Sequence, residues 1–333
     1  MKRTYFTGFI VSFAVVVSLA LVSCSKATTA GNGSVGNRLT NVVTDNFNFS
    51  LFTAAINYTG LADTLLQPGP YTALVPNDDA FHQAGYSNAV AIQATDLTFM
   101  RAVTAYHILK GTYQFNRLPY AFDQEIKTLQ GNSMYVTHWI KNGDSVVTIN
   151  GTRILSYNLP ASNGLVQVLS AVLSPAIYNN LHDAVAADPA LTFFNTALAR
   201  TGLSSLLESG DTYTVFAPTN AAFIAMGIPT LDSIYHTNTS VLANLVRYHI
   251  LSARRFIYDY ILITDATGKS QQAMVDGNNV TITLYSDPNT GAGVNSILLQ
   301  GSGNNGATAL VRRDILAGNG VLHTINQVLK TNY

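Results

Sequence analysis

The sequence predicts an α+β chain made of two tandem copies of one domain. Three observations carry this. The stretch Tyr71-Thr-Ala-Leu-Val-Pro-Asn-Asp-Asp-Ala-Phe81 returns as Tyr213-Thr-Val-Phe-Ala-Pro-Thr-Asn-Ala-Ala-Phe223. Around it, landmarks keep a constant offset of 142: Leu39 falls on Leu181, Phe52 on Phe194, Gly60 on Gly202 and His107 on His249. Within each copy, helical spacing comes first and strand-like alternation after it. The offset then grows to 146 at Gly131/Gly277 and to 156 at Asn163-Gly164/Asn319-Gly320. Growth in steps is the mark of loop insertions, which chains accept at little cost.

In chain order, Lys2 and Arg3 precede an uncharged apolar run from Tyr5 to Val22, which ends in Leu21-Val22-Ser23-Cys24. This reads as a secretory leader, and its end resembles a bacterial lipobox, in which the thiol is lipidated and becomes the first mature residue. Cys24 is the single cysteine of 333 residues, so the chain has no internal disulfide framework. The alternatives are an ordinary signal peptide with an incidental cysteine, or an uncleaved anchor helix. The expected division is residues 1–23 as leader, 24–37 as a flexible Ser/Thr/Gly/Asn-rich linker, 38–175 as domain 1 and 176–333 as domain 2.

In each copy a helix is expected to bury Leu51, Phe52, Ala55 and Ile56, or Phe193, Phe194, Ala197 and Leu198. Gly60 or Gly202 stands where a left-handed C-cap belongs. A short second helix carries Leu61, Leu65 and Leu66, or Leu203, Leu206 and Leu207. The repeated stretch follows as a strand stopped by Pro76 or Pro218, with Asn77 or Thr219 placed to cap the next helix. A further helix turns Leu97, Met100 and Val103, or Val241, Leu242 and Leu245, inward and ends in Tyr106-His107 or Tyr248-His249. Period-two runs punctuated by Asn142-Gly143, Asn150-Gly151 and Asp276-Gly277 then read as antiparallel hairpins.

Charged residues make up 11% of the chain and the formal charge is zero, so the sequence has no electrostatic footprint for nucleic acid. Signatures for zinc, acyl-transfer and nucleotide chemistry are lacking, and the seven histidines are dispersed, so no catalytic residue, metal site or cofactor is expected. Gly31-x-Gly33-x-x-Gly36 and Gly301-x-Gly303-x-x-Gly306 fit a dinucleotide pattern but read as loops. Asp78-Asp79 read as first-turn charges offsetting a helix dipole. Trp139 and the 17 tyrosines could stack on sugars, or pack within the sheet. The loop from Asp287 to Ala307, inserted in the second copy, is where binding specificity is expected.

These blocks together resemble the fasciclin (FAS1) domain. Tyr213–Phe223 matches its first signature, Tyr248-His249-Ile250-Leu251 its Tyr-His segment, and Gly320-Val-Leu-His-Thr-Ile-Asn-Gln-Val-Leu329 its second signature. The first copy departs from the pattern at Val75-Pro-Asn-Asp-Asp79, and Gln167 stands where His323 stands in the second. The resemblance implies a β-sandwich packed with several helices, and a non-catalytic role in adhesion or extracellular interaction. It also implies a binding role for Tyr106, His107, Tyr248 and His249; the other reading is that each histidine packs at a helix-to-strand junction with a ring nitrogen bonded to backbone. The expected partners are a membrane, through lipid on Cys24, and an extracellular protein or matrix component. A carbohydrate-binding lipoprotein for polysaccharide capture is the alternative. The expected location is the cell envelope, on a bacterial membrane and most simply the outer one.

Overall fold

In the computed structural model, which describes residues 37–286 and 295–332, each repeat is a helical layer packed on one seven-stranded sheet. Repeat one runs α1 (Leu39–Thr44), α2 (Ser50–Tyr58), α3 (Ala62–Leu66), β1 (Tyr71–Pro76), α4 (Asp78–Gln83), α5 (Ala89–Gln93), α6 (Leu97–Tyr106) and β2 (Ile108–Lys110). The strands β3 (Ala121–Lys127), β4 (Ser133–Lys141), β5 (Asp144–Ile149), β6 (Thr152–Ala161) and β7 (Gly164–Leu169) complete it. Repeat two has α7 (Leu181–Ala186), α8 (Thr192–Thr201), α9 (Ser204–Glu208), β8 (Tyr213–Pro218), α10 (Asn220–Ala225), α11 (Leu231–His236), α12 (Thr239–Arg247) and β9 (Ile250–Leu251). A further helix, α13 (Ile257–Ile263), precedes β10 (Lys269–Ala273), β11 (Asn279–Tyr285), β12 (Ser296–Gly301), β13 (Thr308–Ala317) and β14 (Gly320–Ile325). The described residues fall in one compact unit.

Strand order is β2-β1-β7-β6-β5-β4-β3 in repeat one, and repeat two reproduces it. The closing strand lies parallel to the opening one, Tyr71 opposite Gly164 and Tyr213 opposite Gly320, a pairing that the hairpin signals of the middle strands do not cover. The long strands β6 and β13 carry register shifts, and bulges of this kind bend a strand. The ladder therefore folds over on itself. Leu74 of β1 and Leu109 of β2 share a buried cluster with Ile126, Met134 and Val147 of the strands at the far end. Ala73 and Val75, on the opposite face of β1, pack with Phe52, Ile56, Phe81 and Met100 of the helices. A strand buried on both faces reads as a continuous apolar run, as Thr-Ala-Leu-Val does. Each buried Phe or Leu contributes about 1.5–3 kcal/mol relative to exposure.

The repeated stretch is a corner that anchors two helix N-termini. Asn77 Oδ1 accepts from Ala80 N at 2.9 Å and caps α4, as Thr219 Oγ1 caps α10 from Ala222 N at 3.3 Å. One residue on, Asp78 Oδ1 accepts from Leu51 N at 2.9 Å at the start of α2, and Asn220 Oδ1 accepts from Phe193 N at 2.9 Å at the start of α8. Asp78 thus serves a neighbouring helix as well as its own first turn. At the sheet's other end, Asn163 accepts from Leu39 N and donates to Leu65 O and Gln67 O, all within 2.8 Å. Asn319 repeats these bonds with Leu181, Leu207 and Ser209.

Some expectations need correction. Met100, Val103, Leu242 and Val246 are buried, but Leu97 and Val241 are 48% and 55% exposed, because the buried stripe of α6 and α12 is rotated toward the C-terminal turns. Asn142-Gly143 and Asn150-Gly151 have positive φ at both residues, as a tight hairpin turn requires. Asp276-Gly277 instead sits inside a longer loop with positive φ at Gly277 alone. The stretch read as a loop from Asp287 contains strand β12, and its residues 287–294 lie outside the described part.

Candidate functional site

The Tyr-His segments close α6 and α12 and lie under the sheet. His107 and His249 are 1% and 0% exposed. Each ring is held from both ends. Nδ1 donates to Val103 O at 2.8 Å or Leu245 O at 2.7 Å, one turn back. Nε2 accepts from Leu173 N at 3.0 Å or Leu329 N at 2.9 Å, beyond the closing strand. Burial lowers both pKa values to about 4, partly offset by the Nδ1 bond to backbone. Phe52 and Phe194 lie edge-on to the two rings at 6.0 Å. Tyr106 OH donates to Ser133 O and accepts from Asn150 Nδ2, while Tyr248 OH donates to Asn279 O and accepts from Ser302 N. These four side chains join helix to sheet, and none presents a face to solvent.

His323 stands on β14 with Nδ1 accepting from Asp314 N at 3.1 Å and Nε2 donating to Arg255 O at 3.1 Å. Gln167 takes both roles in repeat one: Oε1 accepts from Asn158 N and Nε2 donates to Tyr113 O, each at 2.9 Å. Asn158 and Asp314 share a φ of 57°, so the two bulges match. The exchange of His for Gln therefore preserves the bonds. His323→Gln is expected to change stability by less than about 1 kcal/mol at neutral pH while removing one acid-sensitive group. Urea midpoints at two pH values check this.

Trp139 is half-buried on β4, its ring 4.8 Å from that of Phe122. Over Phe122, at 4.4 Å, lies the guanidinium of Arg255 from repeat two. The indole thus belongs to the seam between the repeats. In that seam Arg254, 6% exposed, lies 3.5 Å from the Tyr135 ring centroid. Its Nη1 donates to Asp123 Oδ1 at 2.9 Å and its Nη2 to Gly318 O at 3.1 Å. Lys141 Nζ donates to Thr264 O at 2.6 Å, at the end of α13. Tyr135 shares a buried cluster with Phe256, Leu316 and Val321. Gly151 has φ +74°, and a Cβ there would meet Phe256 Cβ at 2.7 Å, so the Asn-Gly turn also lets the repeats close. Arg254→Ala leaves the Asp123 carboxylate, already partly desolvated, without its cation. The expected cost is about 2 kcal/mol, with the melting transition splitting in two; calorimetry reads both.

Beside this seam is a cleft of about 800 Å³ with walls from both repeats. Arg153 of β6 and Arg312 and Arg313 of β13 line it, with Tyr258, Phe99 and Ile177. The β13 bulge turns Arg312 and Arg313 both outward, where regular pleating would bury one. None of these residues was singled out from sequence. The one available signal was the change of offset from 142 to 146, which marks the insertion bearing α13. Among the described residues no group of three His, Cys, Asp or Glu is placed to hold a metal ion. Nor is any helix there long and apolar enough to cross a membrane. Cys24 lies outside the described residues.

The fasciclin domain model matches residues 47–175 and again 189–331. The chain belongs to the fasciclin domain family. A fasciclin relative, transforming growth factor-beta-induced protein ig-h3 of Sus scrofa, is 24% identical over 265 residues, 79% of this chain and 35% of that protein. Human periostin is 30% identical over 199 residues, 59% of this chain and 21% of periostin. Protein sll1483 of Synechocystis is 25% identical over 176 residues, 52% of this chain and 93% of that protein. The chain thus spans about a third of the porcine relative's length. Among solved structures, a FAS1 domain pair from the insect cell adhesion molecule fasciclin I covers 86% of this chain and 98% of its own, at 16% identity and a TM-score of 0.41. The fasciclin signature blocks are the two corners and closing strands described above, and in both repeats they are structural devices.

Proposed function

We propose that this fasciclin-family chain is a non-catalytic adhesion or interaction protein of the cell envelope, held at a bacterial membrane by lipid on Cys24. The observation that carries the reading is the internal use of the polar groups in the repeated blocks. His107, His249 and His323 spend both ring nitrogens on the fold, and Asp78 spends its carboxylate on a helix start. The surface instead presents large apolar side chains such as Ile177, 73% exposed, and Tyr235, 59% exposed, which suit contact with another macromolecule. The lipid tether rests on the sequence, where the sole cysteine follows the apolar leader. An extracellular protein or matrix component is the partner in this reading.

An array of matrix proteins and glycans probed with residues 33–333, the compact unit, tests the proposal. Binding to matrix proteins that survives Trp139→Ala is the expected result. Binding to saccharides alone, lost with Trp139→Ala, would replace it by the carbohydrate reading. Membrane retention of the full chain is expected to vanish with Cys24→Ser, and retention by that variant would overturn the tether.

A further inference from the structure

The cleft between the repeats gathers cationic side chains on this nearly neutral molecule. Three arginines line it, and they differ in how far they are already engaged. Arg312 Nη1 donates to Asp188 Oδ2 at 2.7 Å, so its charge is partly answered. Arg313 Nη1 donates to Asn295 O at 2.5 Å, a neutral acceptor, and no ion pair joins it to the adjacent Asp314 carboxylate, which feels its charge only at a distance. Arg153 lies 5.8 Å from the Tyr258 ring centroid, and among the described residues no carboxylate pairs with it. Asp314 is the one acid in the lining, and its Oδ1 is committed to Ile257 N at 2.8 Å. The cleft therefore carries an excess of exposed guanidinium, whose planar fork favours carboxylates. Alongside stand Phe99, 47% exposed, and Ile177, 73% exposed, which gain from covering by apolar side chains rather than sugar hydroxyls.

We propose that this cleft binds an acidic, extended protein segment, its carboxylates meeting Arg153 and Arg313 and its apolar side chains lying against Tyr258, Phe99 and Ile177. The proposal rests on the interaction reading above and names the surface and the chemistry of the partner. Because both walls are needed, the site exists only while the two repeats are locked by the Arg254 seam.

The test uses the full chain in detergent micelles and a fluorescent peptide of roughly ten residues alternating Glu with Leu or Phe. Binding in the micromolar range is expected, weakening with added salt and lost when Gln replaces Glu. Arg153→Ala with Arg313→Ala is expected to weaken it by about tenfold or more, and Ile177→Ser by about threefold, with melting temperatures unchanged. Lys110→Ala, a surface cation outside the cleft, is the control that leaves binding intact. Equal affinity for the Gln peptide, no binding by about 1 mM, or full affinity in the double arginine variant each overturns the proposal. Preference for a uronate oligosaccharide over the peptide does so too. Matrix binding that persists in the double variant overturns the cleft alone. Peptide binding intact with every matrix protein ignored overturns only the wider adhesion reading.

Discussion

Gly320→Ala is expected to unfold the second repeat, and Gly164→Ala the first. In the parallel pairing of the closing and opening strands these glycines lie opposite Tyr213 and Tyr71. A Cβ on Gly320 would stand 2.0 Å from Tyr213 O and 2.6 Å from Leu181 Cδ1. On Gly164 it would stand 2.0 Å from Tyr71 O and 2.9 Å from Leu39 Cδ1. A backbone oxygen at that distance cannot step aside, since Tyr213 N is itself tied to Asn319 O at 3.1 Å. Separating the strands would break the ladder and the three bonds of the preceding asparagine. A loss on the order of 4 kcal/mol or more follows. Gly85→Ala is the contrast: φ is +91° but nothing lies within 4 Å, so strain of about 1 kcal/mol is expected. Urea unfolding of the three variants decides it, and Gly320→Ala melting within about 1 kcal/mol of the parent would refute the close-approach argument.

Acid is expected to destabilise the protein through its buried histidines. His107, His249 and His323 are each lowered to about 4, first by burial, from an ordinary value near 6.5. Their contribution is fully present above pH 6.5 and is lost as pH falls toward 4, at roughly 3 kcal/mol for each ring. Asp123, Asp259 and Asp314 act in the opposite sense, each raised by burial. Burial pushes Asp259 up to about 7 and Asp314 up to about 6. Their contribution is present below about pH 4 and is lost as pH rises through those values. Between about pH 4 and 6 the three histidines are opposed by the raised aspartates, Asp123 the least shifted of them, so stability rises with pH but less steeply than the histidines alone would make it. The maximum falls near the ordinary histidine value. His249→Ala strands Leu329 N and leaves a cavity, costing about 3–4 kcal/mol at neutral pH, and it flattens the acid limb. A parent protein more stable near pH 4.5 than near pH 6.5 would contradict the balance.

The sequence makes legible whatever is decided locally. The corner at Pro76 and Pro218 was legible because proline, a capping residue and a short helix fix their geometry within a few residues. The duplication made it legible twice. The phase of α6 was not, because Leu97, Phe99, Met100, Ala102 and Val103 surround the helix, and the packing partner alone selects which of them are covered. The α13 helix and the cleft arginines were invisible for a different reason. Each gains its meaning from residues of the other repeat, and no periodicity within one copy records a contact between copies.

The placement of α13 also bears on how the chain is made. It belongs to repeat two, yet Phe256 before its start packs with Tyr135 of repeat one and Thr264 at its end accepts from Lys141 of repeat one. Chains emerge N-terminus first, so repeat one is complete through Leu173 while roughly 90 residues remain to be added before α13 is finished. At ordinary rates of synthesis that interval is on the order of ten seconds. For that time repeat one has its own core but shows Phe122, Tyr135 and Trp139 to its surroundings. The newborn first half is thus a sticky object that its sibling later covers, and a ribosome stalled in between would release a folded but adhesive fragment.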